Sequence, residues 1–145
     1  MKKVFLILAM SIVCVSIISA QDCPDPVMED YTKVLNTAFA KDYVKCPVII
    51  EGMFLQCDLV SGYKPPKKLK KMFFFQCYDI EAGPNTSFGN QQYGDYFAIN
   101  KDQADKILSF QKGDKLKLTG STYIYSIMGT VANIFFVVEE VEKVD

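Results

Sequence analysis

The densest run of one chemistry in the chain is basic. Lys64, Lys67, Lys68, Lys70 and Lys71 fall within eight residues, behind Tyr63 and interrupted by Pro65, Pro66 and Leu69. Ammonium groups at this density attract an anion, but without a planar fork they orient it poorly. Orientation would have to come from aromatic rings, and tyrosines recur at Tyr78, Tyr93, Tyr96, Tyr123 and Tyr125, with Phe73 or Phe75 added according to strand register. Exposed rings in strands stack on bases or sugars. The chain has no His and no Trp, and all 16 of its basic residues are lysines. A Ser-His-Asp or Cys-His pair is therefore excluded, as are the usual His-containing metal sites. The absence of Arg removes bidentate recognition of phosphate or guanine, which argues against nucleic acid as a partner. Glu51, Asp79 and Asp114 lie in or beside strands, but no spacing pairs them as acid and base. The expectation is no enzyme, no cofactor and no metal.

Cysteine is the remaining reactive type. Cys23, Cys46, Cys57 and Cys77 stand outside the first twenty residues, without the Cys-x-x-Cys spacing of a zinc or thioredoxin-type site. An even number suits disulfides in an oxidising compartment. Four cysteines allow three connectivities. Cys23–Cys46 with Cys57–Cys77 is preferred, because the first pair brackets a predicted helix and would fasten an end that otherwise frays.

The compartment follows from residues 1–20. Lys2 and Lys3 precede an apolar run from Val4 to Ile18, and Ser19-Ala20-Gln21 follows, the pattern of a secretory signal peptide. The rival is an uncleaved anchor, since Val4 to Ala20 gives 17 residues, the lower limit for a spanning helix. Membrane contact is expected only through such an uncleaved segment. Residues 21–145 then form one domain of an exported protein, periplasmic or secreted. Without Lys2 and Lys3 it carries 14 lysines against 17 acids, a net charge of −3. Outside the basic run, nine lysines face those 17 acids, a net charge of −8. At 50% hydrophobic and 13% aromatic residues the chain can bury a core.

The elements that must position these residues are mostly strands. Val27, Tyr31, Val34, Leu35, Ala38 and Phe39 recur at helical spacing and predict a helix over 26–42, with Asp25 as N-cap and Pro26 as first helical residue. From Val44 the period changes. Residues 48–55, 72–78 and 96–99 read as strands, with a bulge expected at Gly52. Residues 101–110 read as a short helix. Lys115 to Gly120 alternates as a half-buried strand, and 133–141 makes a fifth strand too apolar to have a wet face. Residues 82–95, rich in glycine and glutamine, form a long loop holding a glycosylation-type triplet, Asn85-Thr86-Ser87.

The order β-β-β-α-β-β, the mid-strand Gly52, the "KGDKLKLTG" turn and strand and the final "FFVVEEVEKV" resemble the OB-fold. The stretch "AFAKDYVKCPVIIEGMF" looks like small exported bacterial OB domains related to the tRNA-anticodon-binding type. The resemblance covers about residues 30–144. It implies a mainly β fold: a five-stranded, partly open barrel with an N-terminal helix and a short helix between the third and fourth strands. It also implies a ligand-binding face flanked by the loop that carries the lysines. The group has no settled common activity, and the fold by itself names no substrate.

Two functions of different classes follow. One is an exported binding or adaptor module that takes an extended anionic ligand, such as an acidic glycan, through Tyr63, Lys64, Lys67, Lys68, Lys70, Lys71, Tyr123 and Tyr125. The other is a structural or assembly component that docks on an envelope protein. A third account of the lysines needs no ligand, since charges flanking the apolar strand Met72 to Phe75 also guard it against aggregation.

Overall fold

The computed structural model describes residues 23–59, 63–87 and 89–144. The signal-peptide and anchor expectations for residues 1–20 lie outside them. Five strands close into a barrel in the order β1 (Val48–Cys57), β2 (Phe73–Tyr78), β5 (Asp95–Ile99), β7 (Thr130–Val144) and β6 (Lys115–Ile127). β5 and β7 run parallel and the other neighbours antiparallel. The OB-fold-like barrel expected from the strand order is present, and its sheet closes. β3 (Asn85–Thr86) and β4 (Gln92–Tyr93) form a separate ribbon within the long loop.

Inward positions follow the two-residue period of each strand. Ile50 and Phe54 of β1, Phe75 and Cys77 of β2, Phe97 and Ile99 of β5, Leu116 and Leu118 of β6, and Phe136 and Val138 of β7 fill one core. Phe75, Phe97 and Phe136 have no exposure, and burying each such ring stabilises the fold by roughly 1.5–3 kcal/mol. α2 (Ala104–Leu108) closes one end by inserting Ile107, with Phe110 edge-on to Phe54 at 6.1 Å.

The other end departs from the sequence expectation. Residues 26–42 are not one helix. Residues 27–29 are extended and pair parallel with β1, Glu29 N–H donating to Ile49 O and Ile49 N–H to Val27 O, both at 2.8 Å. α1 covers only Tyr31–Val34, and its N-cap is Asp30, whose side chain accepts from Lys33 N–H at 2.8 Å. The helix stops because the Asn36 side chain accepts from Ala38 N–H, an Asx turn that competes with helical bonding. A separate 3₁₀ turn follows at Ala40–Tyr43. Val27 and Phe39, assigned to the apolar stripe, are 58% and 47% exposed. The cause is an open edge. β2 ends at Tyr78, opposite Met53, so the first half of β1 lacks a neighbour on that side, and residues 27–29 occupy it.

Tyr31 enters the barrel beside this seam, which explains Gly52. A Cβ there would lie 2.8 Å from the Tyr31 ring, so glycine makes room for it. The bulge in β1 falls instead between Phe54 and Gln56. A disulfide joins Cys23 to Cys46, tying the start of the extended segment to the residues before β1. The complementary bridge does not form, and Cys57 and Cys77 are free thiols. Cys57 sits opposite Phe75 while Cys77 sits opposite Phe54, so the two are diagonal across the ladder. Diagonal partners stand about 7–8 Å apart, beyond the Cβ separation a disulfide needs.

β6 and β7 extend past the other strands as a two-stranded prong with Ile127 opposite Thr130. The connection is Met128-Gly129, with φ of 50° and 80°. Two positive φ values define a type I′ turn, whose preferred sequence is Asn-Gly. Holding Met128 left-handed costs about 1–2 kcal/mol.

Candidate functional site

Outward positions of β2, β5, β7 and β6 carry a second apolar layer. Phe74, Tyr96, Ala98, Phe135, Val137, Tyr123 and Tyr125 line the outside of the barrel. The basic segment lies across this wall. Its Leu69, 5% exposed, packs on Ala98 and Phe135, and a 3₁₀ turn at Lys67–Leu69 presents the leucine inward. The Tyr63 ring lies 5.1 Å from that of Tyr96 and 6.2 Å from that of Phe135. Its hydroxyl accepts from Asn133 Nδ2 at 3.2 Å. Gln76, fully buried, anchors the start of the segment: its Nε2 donates to Asp58 O at 2.9 Å, and its Oε1 accepts from Gly94 N–H at 3.0 Å.

The structure therefore brings the sequence candidates together, in an arrangement of its own. Lys64, Lys67, Lys68, Lys70 and Lys71 are exposed. Among the described residues the salt bridges use Lys33, Lys115, Lys117 and Lys143, so none of the five is ion-paired. Tyr63, Tyr123 and Tyr125 are half-buried in one cluster. Phe73 and Phe75 both turn into the barrel, and the ring β2 contributes outside is Phe74. Phe135, at the centre of the outer cluster, was concealed in a run apolar on both faces, where period-two reading cannot separate inside from outside. Tyr78 lies away from this cluster, in a hollow with Asp79 and Asp95.

At one edge the wall is open. A depression of about 310 Å³ is lined by Ser87, Gln91, Tyr93 and Tyr96. Burial raises the pKa of the Tyr96 hydroxyl, with smaller contributions from Tyr63 and Tyr93. Burial does the same to Tyr63, opposed by its bond to Asn133. Both phenols are thus kept neutral at ordinary pH, able to donate a hydrogen bond. Aromatic faces beside an amide and a hydroxyl suit a polar ring such as a sugar.

A larger hollow of about 510 Å³, by the seam between residues 28–32 and 79–82, has acidic walls. Most of its carboxylates are already engaged. Glu29 pairs with Lys33 at 3.4 Å and Glu51 with Lys115 at 2.6 Å, while Asp79 accepts from the backbone of Glu81 and Ala82. Among the described residues no group of three or more His, Cys, Asp or Glu could hold a metal ion.

No protein-family model matches the chain, and no curated protein matches it. Solved structures do. A putative aspartyl-tRNA synthetase from Leishmania major Friedlin is 10% identical, with a TM-score of 0.50 over 87% of this chain and 22% of its own. An OBody bound to hen egg-white lysozyme is 10% identical, with a TM-score of 0.46 over 72% of this chain and 86% of its own. The S. pombe Stn1-Ten1 complex is 9% identical, with a TM-score of 0.42 over 68% of this chain and 57% of its own. At these identities the likeness concerns the fold alone.

Proposed function

We propose that the chain is an exported binding module whose ligand surface is the basic segment together with the Tyr93–Tyr96 ledge, and whose ligand is an extended acidic glycan. One observation carries this reading: five exposed lysines without ion pairs among the described residues, held on a segment that is packed against an aromatic wall. A mobile charged loop would lose more entropy on binding, whereas this one is already seated through Leu69 and Tyr63. The charges spread from Lys64 to Lys71, which suits an extended polyanion. The tyrosines of the wall lie half-buried, which favours a sugar at the open ledge over bases stacked along the face. The Cys23–Cys46 bridge and the charged-then-apolar leader support export.

The test is retention on heparin and on polygalacturonate. At about 0.15 M salt the Debye length is about 8 Å, so retention should fall steeply as salt rises above that. Replacing Lys67, Lys68, Lys70 and Lys71 with Gln removes four exposed charges at roughly 0.5 kcal/mol each, a weakening of about thirtyfold. Tyr93→Ser should weaken polygalacturonate binding and leave the salt dependence unchanged. Unchanged retention of the lysine variant, with increased aggregation, would show the lysines to be guards of the Phe73–Phe75 strand.

A further inference from the structure

The prong formed by β6 and β7 ends in apolar side chains that the other described residues leave exposed. Ile127 is 52% exposed, Met128 fully exposed and Val131 37% exposed. A type I′ turn is most easily made with Asn at the position Met128 holds, so the apex carries an apolar side chain against its own backbone preference. Strain of this kind at an exposed tip points to a use for the side chain. The prong also lacks charge: between Lys117 and Glu139 the sequence has no Asp, Glu or Lys. An uncharged two-stranded tip can enter an apolar phase without desolvating an ion, and its paired strands satisfy their own backbone groups.

We propose that Ile127, Met128 and Val131 insert into the surface of a bilayer bearing anionic headgroups. Two features select this occupant. Tyr123 and Tyr125 stand behind the tip on β6, and tyrosine favours the headgroup level. The Asn133–Tyr63 hydrogen bond fastens the basic segment to the prong, so Lys64 and the unpaired lysines after it are carried on the same side of the barrel. Apolar insertion and attraction to anionic lipid then act together, as peripheral anchoring requires. This route differs from an uncleaved leader, and it does not rest on the glycan reading.

Full-length mature protein is sedimented with vesicles of phosphatidylcholine alone and of phosphatidylcholine mixed with phosphatidylglycerol. The mixed vesicles should bind it more strongly, and Met128→Asn should weaken that binding about tenfold. The same substitution suits the turn, so its melting temperature should equal or exceed that of the parent, and its retention on polygalacturonate should not change. Because the chain has no Trp, Met128→Trp supplies a single reporter whose emission should shift to the blue only with the mixed vesicles. Equal vesicle binding by parent and Met128→Asn, or an unshifted emission, would overturn the proposal. So would a dimer in vesicle-free solution that Met128→Asn dissolves, which would assign the tip to a second copy of the chain.

Discussion

Removing the Cys23–Cys46 bridge tests how the N-terminal segment is held. The two cysteines are 23 residues apart, and closing a loop of that length in the unfolded chain is worth about 3.4 kcal/mol in the chain-entropy account. Replacing both with Ser avoids an unpaired thiol. For a domain of this size, about 3–5 °C of melting temperature accompanies each kcal/mol, so a fall of roughly 10–15 °C is expected. The damage should also be local. Cys23 fastens the strand that pairs with Ile49, and just behind it Tyr31 and Val34 enter the core. Amide exchange at Glu29 and Ile49, whose hydrogen bonds form the seam, should therefore accelerate more than exchange at Phe97 or Leu118. A melting shift below about 3 °C, or uniform loss of protection, would refute the assignment of the bridge as the clasp of this seam.

Glycine substitutions should separate soft from hard close approaches. Gly52→Ala meets the edge of the Tyr31 ring at 2.8 Å and should cost about 1–3 kcal/mol in chemical denaturation, whereas Gly94→Ala meets Cys77 O at 2.2 Å and should prevent stable folding. Asp95 gives a pH signature: burial raises its carboxyl above the ordinary 3.8, the nearby Tyr31 hydroxyl opposes this, and Asp79 adds to it. Its folded-state value exceeds the unfolded one, so the ionised group destabilises the fold as pH rises from 3.8 through the raised value. Asp95→Asn should therefore raise the melting temperature near neutral pH and leave it unchanged well below pH 3.8; an equal gain at both would sink the argument.

Much of the barrel was legible because its signals are local. β-branched and aromatic runs, the Gly113-Asp114 turn and the alternation from Lys115 to Gly120 reflect neighbours a few residues apart. The basic segment was legible for the same reason. Residues 26–42 were misread because their helical spacing was real, while a distant event, the early end of β2 at Tyr78, left β1 an open edge that an extended segment fills better.

By itself, then, the sequence determined the order of the five barrel strands, the lysine cluster, the absence of His and Arg, and an even set of cysteines outside the first twenty residues. Tertiary structure alone decided which cysteines meet, because a bridge requires the two Cβ atoms to face each other and among the described residues only Cys23 and Cys46 do. It also decided that Phe74 faces out while Phe73 and Phe75 face in, since register is a property of paired strands. And it turned the lysine segment from a free loop into a covering for the aromatic wall. Leu69 finds its apolar partners Ala98 and Phe135 only when β5 and β7 lie side by side, and no local pattern in the chain encodes that meeting.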